Sequence, residues 1–486
     1  MCDPGCERPP TYRCRFFRVH IYIPAVKRIL PHTLSPLTHS ESNVYIERLQ
    51  SAMSTPEIPA KAPMVLVIGS GLTGPVIAIL LQKKGYSPVV FEKYTENADI
   101  GTTIALMSNG TKVLGVADRE MMEEVYKRSR LVEAIYELNG KNEVLGGNED
   151  LRNYHAKFGG HPFGWQRTDF RLTLIRQLAK HGIEFHEGWT LEKLVEGENS
   201  VTAYFNGGRT AVGDFVIGCD GANSVVRRTI LEDFHKAENP HAVYSGTTHW
   251  AGFSPVPEGW NDPPCFRHIY ATGSHVVCYP FTNTEISWGV TLRIPEPSKK
   301  DWRTYAPEET ARLIKDLLPI AEKAGFQPNI LKMLEETTRL IKFGSYDLVN
   351  ELTPAQWHSN RLVLMGDSAH PSGVSLGQGA NMSLGDCYAL YEQLPDLTMG
   401  DRDFIARLKQ LDTTLPAIFQ KYAEKRQPIT VALVKGARAQ SFVRTDEDWE
   451  ARDHRLKTSW ETGVAKQGLE DICNEPFPGA VPPVTV

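Results

Sequence analysis

The residues best suited to chemistry are glycines and acids at the ends of apolar runs. Gly69, Gly71 and Gly74 stand in GxGxxG spacing after the run Met64–Ile68, and Glu92, with Lys93 beside it, follows roughly 20 residues later. In that spacing Gly69 permits a tight turn and Gly71 lets the backbone approach a pyrophosphate. Gly74 lets a helix, expected from Pro75 to Lys84, pack close on the strand. Phosphates then meet the helix N-terminus, where free N–H groups and the macrodipole favour negative charge. A carboxylate at Glu92, ending the strand Ser87 to Phe91, accepts both hydroxyls of an adenosine ribose and disfavours a 2′-phosphate. The site therefore reads as one for NAD or FAD rather than NADP.

Two later stretches repeat the pattern of a strand that delivers an acid. Phe215 to Cys219 is a buried-strand pattern carrying Asp220 and Gly221 to its carboxyl end, where ligands of parallel sheets bind. Leu362 to Met365 presents Gly366 and Asp367, and a glycine loop then leads into a long helix from near Gly379. An acid there can bond a sugar-like hydroxyl chain, and the helix N-terminus can face a group that becomes anionic, as a reduced isoalloxazine does. Arg167 precedes a helix capped near Thr168, where it either reaches a cofactor phosphate or is merely solvated.

The elements that must position these residues define an α/β chain. A strand, glycine turn, helix and second strand run from Met64 to Lys93. The segment Gly101 to Asp118 reads as an extended stretch and a short helix, and Glu133 to Gly164 as polar and loop-rich, covering one side of a pocket. Short strands with a turn at Asn206, Gly207 and Gly208 fill residues 183–219. Residues 241–295 are rich in aromatics and strand formers and predict a largely antiparallel second sheet, followed by helices Pro307 to Lys323 and Ile330 to Thr337. The expected domains are a Rossmann-like nucleotide domain over residues 61–240 and 346–395, and a second domain over 241–345 with help from 132–165. A helical region over 396–466 and a proline-bearing tail over 467–486 follow.

At 486 residues the chain is long enough for two or three structural units. Its apolar and charged fractions, 41% and 23%, are ordinary for a globular protein, and a formal charge of -5 argues against nucleic acid or an anionic membrane as the main partner. The nearly uncharged run Pro63 to Gln82 carries three glycines and Pro75, which suit a βαβ turn better than a membrane span. Eight scattered cysteines form no zinc-spaced pair, so a reducing compartment and no metal are expected. Sequons at Asn109 and Asn381 fall inside segments assigned to the cofactor site and are discounted. Residues 1–60 are arginine-rich, with several prolines and no acid between Glu7 and Glu41. A transit peptide and a disordered tail compete with an over-long gene model upstream of Met53, and the last suits best, with MSTPEIPAKAP leading into the first strand. That reading implies a cytoplasmic protein, with mitochondrial targeting as the alternative if residues 1–52 are translated.

Together the three ordered motifs resemble those of the class A FAD-dependent aromatic monooxygenases, the group of 4-hydroxybenzoate and salicylate hydroxylases, over about residues 64–440. The resemblance implies that Gly69, Gly71, Gly74 and Glu92 hold the ADP half of FAD and that Arg167 contacts the cofactor. Asp220 and Gly221 serve FAD and NADPH, and Asp367 binds the ribityl chain. Gly377, Gln378, Gly379, Ala380 and Asn381 lie against the flavin ring. It also implies that NADPH or NADH acts transiently as reductant, and that O2 adds to give a flavin hydroperoxide which oxygenates an aromatic small molecule. Two departures stand out. Val374 replaces the family's proline before GQG on the oxygen side of the flavin, and Ala251 replaces an arginine after Trp250 in YSGTTHWAG.

For a phenol, the chemistry requires help in losing a proton of pKa about 10, a task suited to His or Tyr. The candidates on the second sheet are His249, His268, Tyr270 and His275, with Trp250, Arg267 and Tyr279, and Val374 of the glycine loop, as substrate contacts. Arg267 has the chemistry to pair with a carboxylate. The expected reaction is aromatic hydroxylation, with oxidative decarboxylation of a hydroxybenzoate as a variant. The runner-up is epoxidation or hydroxylation of a prenylated or polyketide-type secondary metabolite. A hydrolase reading of Gly373, Val374, Ser375, Leu376 and Gly377 as GxSxG fails because the serine does not follow a strand directly. A halogenase lacks its WxWxIP segment here, and a FAD-fold binding module would not need both acid motifs.

Overall fold

The computed structural model describes residues 62–95, 101–260, 262–296, 303–348, 350–398 and 404–479. The leader expected over residues 1–60 and the end of the tail lie outside them.

The chain begins with the expected βαβ unit: β1 (Met64–Ile68), α1 (Thr73–Lys83) and β2 (Ser87–Glu92). β1 is apolar throughout and almost wholly buried, as a parallel strand covered on both faces must be. α1 starts at Thr73 rather than Pro75, and Pro75 is tolerated because first-turn N–H groups have no intrahelical acceptor.

The chain then leaves this sheet and contributes β3 (Ala134–Asn139) and β4 (Val144–Asn148) to a second one. The expectation of a loop-rich stretch from Glu133 to Gly164 is therefore corrected. Its charged residues hid the alternation that sends Leu138 to one face of the sheet and Ile135 to the other. Phe163–Gln166 also forms a strand, antiparallel to Thr103–Leu106. The chain returns through α2 (Arg167–Lys180), β5 (Glu184–Glu187), a three-stranded antiparallel meander over residues 191–213, and β6 (Phe215–Gly218).

The second sheet is completed by β7 (Ala242–Pro255), β8 (Cys265–Ala271), β9 (Ser274–Pro280) and β10 (Glu285–Leu292). Helices α3 (Pro307–Ala324) and α4 (Pro328–Glu335) follow, then β11 (Arg339–Leu348). Both helices start on proline, whose missing N–H costs nothing at that position. The last return supplies β12 (Leu362–Leu364), α5 (Gly379–Gln393), α6 (Phe404–Arg444) and, after a further short helix, α7 (Val464–Asn474). The tail expected from 467 thus begins as a helix, anchored by the fully buried Cys473.

The first sheet is parallel throughout, in the order β12-β6-β1-β2-β5. The second has seven strands in the order β11-β7-β10-β9-β8-β3-β4, antiparallel except for the β8–β3 pair. One face of the second sheet packs on α3 and α4 through Trp250, Ile269, Val276, Trp288, Ile314, Leu317 and Leu340. The opposite face is free of those helices and carries the polar residues described below. No described helix is long and apolar enough to cross a membrane.

Candidate active site

The glycine turn between β1 and α1 is held by backbone contacts that leave no room for side chains. Gly69 has φ +105°, and a Cβ there would collide with the Cys219 carbonyl; a Cβ on Gly74 would collide with the Gly69 carbonyl. A Cβ on Gly71, in contrast, would meet no protein atom within 4 Å, and the same is true of Gly221 and Gly377. Positive φ explains the glycine at 221 and 377, at +81° and +61°, whereas at Gly71 only the open space does, and this is how the turn fits a dinucleotide. Glu92 is 7% exposed and braces the turn. Its Oε2 accepts from Ser70 N–H at 2.8 Å and from Ser70 Oγ at 3.0 Å, and Oε1 accepts from Tyr94 N–H at 2.9 Å. Lys93 is exposed, over the Tyr94 ring.

The two acid motifs differ in what they do. Asp220 accepts from Ser224 Oγ at 2.5 Å and from Val225 N–H at 2.7 Å, so its carboxylate fixes the turn around Gly221. Asp367 is exposed to open space, although packing around it raises its carboxyl, and the charges of His370 and Arg167 counter that effect. Arg167 is the first residue of α2 rather than a residue before it, and its side chain packs under Gly101. In the first turn of α5, Asn381 is 1% exposed and wholly engaged. It accepts from Met107 N–H at 2.9 Å and donates to the carbonyls of Gly377 and Ala105 at 2.9 and 3.2 Å. Gly379 and Ala380 are partly exposed beside it, Val374 is 44% exposed, and Asn109 is buried like Asn381, which removes both sequons from solvent.

Sequence reasoning missed the knot beneath this loop. Asp386 on α5 is fully buried and accepts from Gly366 N–H at 2.9 Å, His370 Nε2 at 2.6 Å and Arg426 Nε at 2.8 Å. Burial alone would raise its carboxyl, but His370 and Arg426 hold it below the usual range. The knot ties the Gly366–Asp367 turn to α5 and α6. An acid, a histidine and an arginine spread from 370 to 426 have no periodic signature.

On the open face of the second sheet, strand alternation sorts the predicted substrate residues. His249, Ala251 and Phe253 of β7 face outward, whereas Trp250 packs on α3 and α4. Arg267 lies on the same face as Trp250, over the Trp260 ring, with Nη1 donating to the Trp260 carbonyl at 3.2 Å. The structure therefore does not bring Trp250 and Arg267 to His249, His268, Tyr270, His275 and Tyr279, because a residue one step along a strand points to the other face.

The open face has a trough. Ala251 pairs with Gly289, Gly289 with Val277, Val277 with His268, and His268 with Glu137, giving a row across five strands. All five residues are partly exposed. The row on one side, His249, Thr291, His275 and Tyr270, is buried, and so is the row on the other, Phe253, Ser287, Tyr279 and Phe266. Small side chains in the middle row, between larger ones, make the depression. Tyr279 OH and Ser287 Oγ are each bonded to Thr103 Oγ1, at 2.7 and 2.5 Å.

The histidines of this face are linked. Arg444, at the end of α6, places Nη2 at 3.3 Å from His268 Nδ1, and His275 Nε2 lies at 3.1 Å from the same atom. Arginine only donates, so His268 Nδ1 is an acceptor, His275 Nε2 carries its proton, and the Nδ1 of a neutral His275 is bare. That atom has no protein partner, nor has His249 Nε2, whose ring bonds Thr291 Oγ1 through Nδ1 at 3.1 Å. Burial pushes His249 down to about 3, and burial with the Arg444 charge pushes His268 and His275 well below the imidazole range. A separate cavity of about 410 Å³ lies between α5, α6 and α7, but its lining is apolar and shares only Asn381 with the candidate residues.

Comparison with known proteins agrees with this arrangement. The model of the FAD binding domain family matches residues 63–435. The chain is 25% identical over 396 residues to a 3-hydroxybenzoate 6-hydroxylase of Klebsiella oxytoca, covering 79% of this chain and 89% of that one. It is 27% identical over 333 residues to a 3-amino-4-hydroxybenzoate 2-monooxygenase of Streptomyces cremeus, covering 67% and 77%. The fold superposes on Klebsiella pneumoniae HpxO, solved with FAD and uric acid, with a TM-score of 0.70 at 19% identity, covering 87% of this chain and all of that one. A matched dinucleotide cleft, a second sheet beside it and a family model spanning both place the chain in the FAD binding domain family, as a class A FAD-dependent monooxygenase.

Proposed function

We propose that the protein hydroxylates a phenolic small molecule seated in the trough of the seven-stranded sheet, with NADPH or NADH and O2 as co-substrates. On this reading residues 61–240 and 346–395 hold FAD, residues 241–345 with 132–165 hold the substrate, and α6 covers them. Gly69, Gly71 and Gly74 admit the pyrophosphate, and Asp367 is free to take hydroxyls of the ribityl chain. The backbone from Gly377 to Asn381 lies against the ring. When bound, FAD takes reducing equivalents from the nicotinamide and activates O2 so that one oxygen atom reaches the substrate and the other leaves as water.

The residues of the sheet orient the ring and keep water out. The observation that carries the reading is the pair of imidazole nitrogens without a protein partner, His275 Nδ1 and His249 Nε2, beside a depression floored by Ala251, Gly289 and Val277. Full proton transfer from a phenol of pKa about 10 to an imidazole near 3 would cost about 9 kcal/mol. In the tautomer whose Nδ1–H donates to Thr291 Oγ1, His249 accepts at Nε2 a hydrogen bond from the substrate hydroxyl and polarises it rather than removing the proton outright. The polarised oxygen raises electron density on the ring at the positions where an electrophilic oxygen is delivered.

The test is NAD(P)H oxidation by the FAD-loaded protein across hydroxybenzoates, simple phenols and prenylated phenols, against a blank without substrate and with product analysis. A stimulated rate with an oxygenated ring supports the reading. Inertness to all phenols, with flavin retained, would move the substrate to another chemical class.

A further inference from the structure

The match to the family model ends at residue 435, partway along α6, and the chain beyond it folds back onto the helix Ser108–Ala117. That helix stands between two neighbours. Ser108 and Lys112 are four residues apart and so share one side, and that side meets α7 and the segment after it. The fully buried Cys473 of α7 lies against Ser108, and Lys112 Nζ donates to the Phe477 carbonyl at 2.9 Å, with the Gly479 carbonyl at 3.5 Å. The other side meets the start of α5. Asn109 Nδ2 donates to Gln378 Oε1 at 2.9 Å, Met107 N–H donates to Asn381 Oδ1 at 2.9 Å, and a Cβ on Gly110 would collide with that same Asn381 oxygen.

Lys112 is the unusual member of this junction. Its side chain is fully buried, which is rare for a lysine, and burial lowers its amine to about 8, so at neutral pH it is still an ammonium. Glu475 lies near enough to favour the charge, but its carboxylate is bonded to Arg426. The hydrogen bonds of Lys112 Nζ go to main-chain carbonyls of the segment 477–479, and the Phe477 ring sits under it at 4.8 Å. The same ring packs on Tyr388 of α5 at 4.4 Å between centroids. The segment therefore touches both the helix that braces the start of α5 and α5 itself.

We infer that Phe477–Gly479 is a clasp closed by Lys112, and that the closed clasp sets the position of the loop Gly377–Asn381 for the flavin, with Lys112 and Phe477 as positioning residues. This rests on the reading that the loop lies against the flavin ring. It extends the cofactor site to a segment outside the family match, acting through Met107, Asn109 and Gly110.

The test measures FAD affinity of the apoprotein by quenching of flavin fluorescence, and hydrogen exchange of the holoprotein, in the wild type, Lys112→Met, Phe477→Ala, their double variant and Gln378→Ala. Methionine fills the buried site without the charge or the donors. Losing a charge-assisted hydrogen bond at the clasp should weaken FAD about 10-fold in Lys112→Met, or about 1.4 kcal/mol, and speed exchange in residues 107–112 and 464–479 alone. Phe477→Ala should do the same, and it carries the test if Lys112→Met fails to fold. The double variant should lose no more than either single one, because both open one clasp. Gln378→Ala, within the loop, should weaken FAD directly. Unchanged FAD affinity in the clasp variants, additive losses in the double variant, or faster exchange throughout the molecule overturns the inference, while weakened FAD in Gln378→Ala keeps the placement of the loop. Normal FAD binding by Gln378→Ala overturns both.

Discussion

The proposed cofactor cleft and the proposed substrate trough are built from different parts of the chain. On that reading the cleft is backbone: turns at Gly71, Gly221 and Gly377 with no protein atom beside their missing side chains, each at the end of a parallel strand or the start of a helix. The trough is side chains: Ala251, Gly289, Val277, His268 and Glu137 arrive from five strands, and Arg444 comes from a helix far along the sequence. A backbone site can be broken by one methyl group, whereas a side-chain site is tuned residue by residue.

The largest effect expected from this contrast lies in the glycine turn. Gly74→Ala forces a Cβ into the Gly69 carbonyl, so the turn must open, and FAD loading is expected to fall at least about 100-fold. Gly71→Ala meets no protein atom, so its melting temperature without cofactor should stay at the wild-type value while FAD affinity still drops. If Gly71→Ala binds FAD normally, the open space beside it is not the pyrophosphate site. Flavin content after purification and melting of the apoprotein measure both arms.

Next in size is the knot under the loop. Asp386→Ala leaves buried Arg426 without its main counter-ion and is expected to cost about 3–5 kcal/mol in denaturant unfolding, with loss of flavin as Gly366 is released. A loss under 1 kcal/mol would show that the two regions are not joined through this residue.

The trough should announce itself through pH. His249 is held in its folded state near 3, below its unfolded value of about 6.5, so the native state binds fewer protons in that interval. Its contribution is present above about pH 6.5 and is lost as pH falls toward 3, by up to about 5 kcal/mol. His268 and His275 act in the same direction. Glu137, raised to about 7, acts in the opposite sense, favouring the fold below about 4.5 and losing that contribution as pH rises through 7. His249→Gln should accordingly show a shallower loss of stability between pH 6.5 and 4 than the wild type. An unchanged slope would mean that the imidazole is not buried neutral.

The smallest effect belongs to Arg267. Because it faces Trp260 on the helix-covered side, Arg267→Ala should change stability by about 1 kcal/mol or less and leave the binding of aromatic acids unaltered. Lost acid binding in this variant would place Arg267 at the substrate after all.

How much of this was legible beforehand follows from range in sequence. GxGxxG with its flanking strands, the strand-borne acids at 220 and 367, and the glycine loop before α5 are local patterns, and the structure has a strand, turn or helix where each was expected. Charged residues from 133 to 149 concealed two strands, the edge strand and its neighbour, because strands near the rim of a half-open sheet carry polar side chains that read as loop. Asp386, His370 and Arg426 were invisible because nothing local marks residues that meet only after three helical and loop segments have packed.

The sequence by itself determined the dinucleotide cleft, since turn geometry depends on which residues lack a Cβ within a few positions of one another. Only the tertiary structure decided which face of each strand looks into the trough, which histidine nitrogens stay bare, and which arginine reaches them. Those outcomes depend on register between strands distant in the chain, and a shift of one residue would have exchanged Arg267 for His268.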